Sequence, residues 1–297
     1  MNASTYETPA RGLAADTADT ANAANTTGAG AELSPGPGTA PASRLRQLRA
    51  LATAETRELL RNKVALFNSL GLPLVMGLIV LGFDSEALPI GVYFPIMVTG
   101  TAILFVVYYT LVTAVVARRE SLLLKRLRSG EADDATILSG IALPFVVVTF
   151  VQYLIAVALA AALFDAKLSI LTVVAGLGVI VAAVAFAAMA VASSSFTRTV
   201  EHAQISTLPI ILVPLVFSGM MFPLAFMPDP MRTFAEFMPL TPVVELMHLG
   251  IGGITTDGEA VSGIDGLVHT IRPLLVLVGW ILLGAWFTRR MVWEPRS

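Results

Sequence analysis

Six stretches of this chain are long and apolar enough to cross a bilayer, and none carries an Asp, Glu, Lys or Arg in its interior. They lie near Val64–Phe83, Val92–Ala117, Ile137–Phe164, Leu168–Ala192, Gln204–Phe222 and Ile271–Thr288. A helical span needs about 18–20 largely apolar residues. Within lipid, every backbone polar group must find its partner inside the segment or its neighbours. The expectation is an all-α fold, a polytopic membrane protein with six transmembrane helices. Composition agrees, with 56% hydrophobic and 13% charged residues. A soluble domain holds about 25% charged residues.

The absences narrow the chemistry. An ion-coupled pump uses ionisable groups at membrane depth, and these spans have none. The three lysines, Lys63, Lys125 and Lys167, each lack the preceding Gly of a phosphate-binding loop. There is no cysteine, which excludes disulfides and thiol chemistry. No Ser/His/Asp set or paired carboxylate is read as facing a pocket, so the chain is expected to be non-catalytic, with no cofactor and no metal of its own. A net charge of −2 indicates no nucleic-acid partner.

Residues 1 to about 42 are rich in Ala, Thr, Asn, Gly and Pro. Such a segment buries too little apolar surface to offset its ordering entropy, and is read as a disordered tail. Met1 leads into polar residues rather than an apolar h-region, so no cleavable signal peptide is expected. Residues 43–63 then form an amphipathic helix. Leu45, Leu48, Ala52 and Leu59 share one face, with Arg44, Arg46, Arg49, Arg57 and Arg61 around it. This pattern suits a helix on the inner membrane surface, and equally a solvated juxtamembrane helix.

Orientation follows the Lys/Arg bias. Basic residues precede the first span and follow the second, fourth and sixth, whereas the opposite side has only Lys167, Arg232 and Arg272. Both termini are therefore expected in the cytoplasm. That constrains 222–253, which is apolar but interrupted by Pro223, Pro228, Pro230, Pro239 and Pro242. It reads as a re-entrant outward hairpin of two short helices packed over a pathway. Thr255–Gly266 follows as an exposed polar loop.

Several residues admit two readings. Glu245 and His248 are three apart on a probable helix, compatible with a metal pair but more simply with polar contacts. Met220, Met221, Met227, Met231, Met238 and Met247 surround the hairpin. Thioethers bind Cu(I), and they also supply adaptable packing. Asn68, Tyr108, Tyr109, Gln152 and Tyr153 either touch cargo or bond between helices. The Gly and Ala residues of the fourth span allow close packing, within one chain or between subunits.

The sharpest signal is the loop 118–136. Arg118, Arg119 and Glu120 open it, and Leu123, Leu124 and Leu127 form an apolar stripe. Lys125, Arg126 and Arg128 stay wet, and Gly130 before Glu131 is a natural helix stop. A helix of this kind fits a groove on a cytosolic partner, although positive-inside anchoring also accounts for the charge.

Two stretches together resemble a known family. One is the run Arg118-Arg119-Glu120 through Lys125-Arg126-Leu127-Arg128-Ser129-Gly130-Glu131. The other is Phe217-Ser218-Gly219, Phe222-Pro223, Met227-Pro228 and Pro239-Leu240-Thr241-Pro242. They resemble a type-2 ABC transporter permease of the actinobacterial drug-resistance kind, related to the daunorubicin exporter permease. The likeness spans about residues 45–293. Ser121-Leu122, Ala132-Asp133-Asp134 and Met247-His248 depart from many relatives.

The resemblance implies a permease subunit of an exporter, working with two copies of a P-loop ATP-binding subunit that carries ATP and Mg. It also implies a second permease chain, identical or homologous, in the cytoplasmic (inner) membrane. Residues 118–131 would dock on the ATPase. Ser218, Gly219, Phe222, Pro223, Met227, Pro228, Pro239, Thr241, Pro242 and Glu245 would form the extracellular gate. The apolar spans favour a hydrophobic small molecule, peptide or lipid-like cargo. Export of a surface glycan or glycolipid, and a non-transporting scaffold or sensor role, are the alternatives.

Overall fold

The structure is a computed structural model that describes residues 44–82, 89–121, 134–256 and 258–291. The described residues are helical apart from turns and loops. They contain no strand, only an isolated antiparallel bridge between Ile254 and Ala260. Five helices are long and apolar enough to cross a membrane, and a sixth apolar helix is shorter. In chain order the helices are α1 (Arg44–Arg61), α2 (Phe67–Gly82), α3 (Ile90–Glu120), α4 (Asp134–Leu163) and α5 (Ile170–Ser194). They continue as α6 (Val200–Phe217), α7 (Asp229–Glu236), α8 (Thr241–Met247) and α9 (Gly263–Met291).

The bounds differ from the sequence expectation in three places. α2 is the short one, with a helical turn, Lys63–Leu66, leading into it. It begins in a π-helical turn, Phe67–Gly71, and ends in a 3-10 turn, Val80–Gly82. α3 runs on to Glu120, so Arg118, Arg119 and Glu120 belong to its last turn rather than to a loop. α9 starts at Gly263, so the last third of the expected polar loop, 263–266, is helix.

Helix starts follow local chemistry. Ser169 caps α5: its hydroxyl accepts from the Leu171 backbone N–H at 3.2 Å, and its own N–H donates to Thr172 Oγ1 at 2.9 Å. This reciprocal arrangement satisfies two donors that a helix leaves open. Thr199 caps α6 through the His202 N–H, at 3.2 Å. Pro230 and Pro242 sit in the first turns of α7 and α8. A first-turn proline lacks only an N–H that would have no helical partner anyway, so these prolines start the short helices.

α3 is the centre of the bundle. From Ile96 to Val116 nearly every side chain is buried, including Tyr108, Leu104 and Val112. Its middle, Ala102–Tyr109, is π-helical. The Thr110 backbone N–H and hydroxyl both bond the Phe105 carbonyl, five residues back, the hydroxyl at 2.8 Å. π-helical turns of this kind widen a helix and are frequent at functional sites.

Small residues set the closest approaches. A Cβ at Gly284 on α9 would lie 2.9 Å from Ala188 Cβ and 3.0 Å from the Ala188 carbonyl carbon on α5. One at Gly176 would lie 2.9 Å from the Tyr153 ring on α4. Gly178 lies against Leu246 of α8. Thus Gly176, Gly178 and much of the alanine stripe of α5 are spent on packing within this chain. α1 packs beside α4, where Leu51 Cβ would be 2.8 Å from a Cβ at Gly140. By contrast, α6 and α9 expose Leu208, Leu212, Leu275 and Leu282 on their outer faces.

Candidate functional site

The sequence singles out two regions, and α3 runs between them. At its C-terminal end, Arg118 and Arg119 point to different neighbours. Arg118 Nη1 donates to the Ala114 carbonyl at 2.9 Å, within its own helix. Its Nη2 pairs with Glu55 of α1 and, at 3.3 Å, with Glu58. Arg119 Nη1 donates to the Ser194 carbonyl at 2.7 Å, and its Nη2 donates to the Thr197 carbonyl. One arginine therefore fastens α3 to α1, and the next fastens it to the turn between α5 and α6. Glu120 is exposed. Leu123, Leu124, Lys125, Arg126, Leu127, Arg128, Gly130 and Glu131 lie outside the described residues.

Glu55 is the residue that the sequence reading missed. It is buried, and burial pushes its carboxyl above the ordinary value of 4.5. The Arg118 guanidinium opposes that rise, and the Glu58 carboxylate adds to it. Glu55 and Glu58 are the sole acidic residues of a helix otherwise rich in Arg. That contrast was the available signal.

The second region follows α6. Ser218 is fully buried, and Gly219 turns the chain at φ +84°, where a Cβ would be strained. Met220 tucks against Gly100 of α3. Phe222 and Pro228 are exposed, and Pro223 and Met227 are half-buried. α7 folds back on α8 through Thr241, whose hydroxyl donates to the Ala235 carbonyl at 2.5 Å. Pro239, Thr241, Pro242 and Glu245 are all buried.

α8 and the π-helical turn that continues it, His248–Gly252, are held on three sides. Thr172 of α5 donates to the Gly250 carbonyl at 2.5 Å. The His248 ring stands edge-on to Tyr93 of α3, with centroids 5.3 Å apart. Glu245 lies 3.7 Å from Arg272 of α9, which also bonds Glu236 at 2.7 Å. Glu245 and His248 thus have separate partners, His248 Nδ1 lying 2.9 Å from the Val244 carbonyl. Among the described residues no group of three or more His, Cys, Asp or Glu comes together. Met220 and Met247 are buried, whereas Met221 and Met231 are exposed.

Three of the five neutral polar groups, Tyr108, Gln152 and Tyr153, bond between helices. Tyr108 OH lies 3.1 Å from Ser193 Oγ, and Tyr153 OH donates to the Thr172 carbonyl at 2.6 Å. Gln152 Nε2 donates to the Ser69 carbonyl in the π-helical turn of α2, at 2.8 Å.

Comparison with curated proteins returns no match. Residues 85–289 match the family described as ABC-2 family transporter protein, a stretch that takes in α3 to α9 almost entirely. The chain belongs to this family, and is a multi-pass membrane permease subunit of an ABC transporter.

Proposed function

We propose that this permease is the transmembrane half of an ATP-driven exporter for a hydrophobic small molecule, peptide or lipid-like compound, of the daunorubicin-type drug-export kind. Energy comes from a separate P-loop ATPase, two copies per complex, that carries ATP and Mg. A second permease chain, identical or homologous, completes the path. α2 serves as the first of six spans, α1 lies along the inner leaflet of the cytoplasmic membrane, and both termini are cytoplasmic. α7 and α8 form a re-entrant hairpin facing outward.

The observation that carries this reading is the course of α3. It is the most buried of the long helices. One end flows into the basic segment 118–131. The other half lies beside the hairpin, through Gly100 at Met220 and Tyr93 at His248. A displacement of the basic segment by an ATPase has a rigid, packed route to the gate. Arg290, 4.7 Å over the Trp286 ring near the end of α9, fits the cytoplasmic interface of a span.

The test is purification of the tagged chain from its native membrane in mild detergent. A stoichiometric P-loop ATPase with vanadate-sensitive turnover is the expected result. Replacing Leu123, Leu124 and Leu127 with Ser is expected to abolish the association. An unchanged association would remove the docking role of that segment, and a partner-free, inactive chain would favour a scaffold.

A further inference from the structure

The elbow between α1 and α2 gathers positive charge. α1 turns Leu51 towards Gly140 of α4 and Leu59 into the core. Its outer face carries Arg46, Arg49, Arg57 and Arg61, all exposed. After α1, the Asn62 side-chain oxygen accepts from the Val64 N–H at 3.1 Å and starts the turn Lys63–Leu66. An open groove of about 720 Å³ lies at this elbow, lined by Arg57, Arg61 and Lys63. The carboxylate beside them is Glu58, which also meets Arg118 at 3.3 Å. Among the described residues that line the groove, cations therefore outnumber carboxylates three to one. Arg57, Arg61 and Lys63 enter no ion pair among the described residues.

Scattered arginines beside a span suffice to orient it. Here the charge adjoins an apolar strip. Val64, Phe67, Leu70, Leu74 and Leu78 are all exposed, and their spacing of three or four residues sets them along one side of α2 and the turn before it. Cations at the foot of a lipid-facing strip complement a phospholipid, whose phosphate and acyl chain follow in the same order. We propose that the groove holds the phosphate of an anionic phospholipid of the inner leaflet, with one acyl chain laid along the α2 strip. Guanidinium and ammonium groups meet phosphate oxygens in charge-assisted hydrogen bonds, and basic pockets at the cytoplasmic ends of spans hold anionic head groups. A choline head group would set its own cation against Arg57 and Arg61, so a lipid of net negative charge is preferred. α1 also carries Glu55 and Glu58 to Arg118, so an occupied groove steadies α1 where the central helix is fastened to it. The inference deepens the placement of α1 along the inner leaflet and rests on it.

The experiment uses the full chain in detergent with equal amounts of dioleoylphosphatidylglycerol and dioleoylphosphatidylcholine, and native mass spectrometry counts the lipids retained. The phosphatidylglycerol is expected to be retained about tenfold more tightly, as one or two basic contacts at a membrane surface provide. Arg57→Gln, Arg61→Gln and Lys63→Gln together are expected to abolish this preference. Arg44→Gln, Arg46→Gln and Arg49→Gln together remove equal charge from α1 outside the groove, and are expected to leave it intact. All six side chains are exposed, so neither set disturbs the core. Glycerophosphoglycerol, the head group without its chains, is expected not to displace the lipid at millimolar concentration.

Equal retention of the two lipids would overturn the proposal, as would equal losses in the two triple variants, which would assign the effect to the overall charge of α1. Displacement by the free head group would make the groove a site for soluble phosphates instead of a lipid. The placement of α1 is read separately. The chain has no cysteine, so a Cys introduced at exposed Thr53 reports its side of the membrane through an impermeant maleimide. Labelling is expected only after the cells are opened. Labelling of intact cells would overturn the cytoplasmic placement and the inner-leaflet site with it, whereas an unlabelled chain without lipid preference loses the site alone.

Discussion

Arg118 and Glu55 pair across 63 residues of sequence, and both side chains are nearly buried, at 11% and 6% exposure. The pair joins the end of the central helix to α1. Breaking it by removing one partner leaves the other charge without compensation, which costs far more than the pair contributes.

Arg118→Met should therefore lower the thermal stability of the purified chain sharply, by about 3 kcal/mol. The double variant Glu55→Leu with Arg118→Met should recover most of that loss, because neither charge is then stranded. Thermal unfolding of the single and double variants in one detergent checks both statements. If α1 transmits movement of the 118–131 segment, the double variant should also lose the cargo-stimulated ATP hydrolysis of the proposed complex despite its restored stability.

Glu55 gives a pH dependence with a definite sign. Its carboxyl is raised above 4.5, first by burial. Between the unfolded and folded values, the folded state binds more protons than the unfolded state. Stability then falls as pH rises through that window. The cost is absent below 4.5 and fully present above the folded value. Glu55→Gln should flatten this component of a stability profile measured upward from acid pH. A Glu55→Gln profile that keeps the wild-type slope would assign the effect to another group.

Two glycines of α9 should behave oppositely. At Gly284 a methyl group meets Ala188, including its backbone carbon at 3.0 Å. Backbone cannot yield as a side-chain tip can, so Gly284→Ala should cost about 1–3 kcal/mol by overpacking. At Gly279 nothing among the described residues lies within 4 Å of an added Cβ. Gly279→Ala should be neutral, or stabilising by up to about 1 kcal/mol through helix propensity. Thermal unfolding of the two variants side by side is the measurement.

Thr172 joins three elements. Its hydroxyl closes the cap of α5 and donates to Gly250 at 2.5 Å, while its carbonyl accepts from Tyr153. Thr172→Val keeps the shape and removes the hydroxyl, leaving the buried Gly250 carbonyl without that donor. A loss of about 1–3 kcal/mol is expected, and Thr172→Ser should restore most of it. Hydrogen exchange at 246–252 should rise in the Val variant, since the bond holds that segment against α5.

The sequence by itself determined the chemistry of the solvent and the parts in contact with it. The uncharged apolar runs impose helices that cross lipid, and five of the expected spans correspond to long apolar helices, with the first shorter. The Arg-rich run that opens the described residues is helix α1, Arg44–Arg61. Prolines fix where the short helices of the hairpin begin. These are local effects, and backbone hydrogen bonding in lipid leaves few alternatives.

Only the tertiary structure decided which helix is central and which residues meet. In water, an apolar stripe tells the inner face of a helix from the outer. In lipid both faces are apolar, so hydrophobicity no longer ranks α3 above α6 or α9, and packing of small residues does so instead. The partners of Arg118, Arg119, Thr172 and Arg272 lie tens of residues away in sequence. No local period marks such contacts. They exist because helix packing brings their ends together, and with them comes the fastening of the central helix to its neighbours.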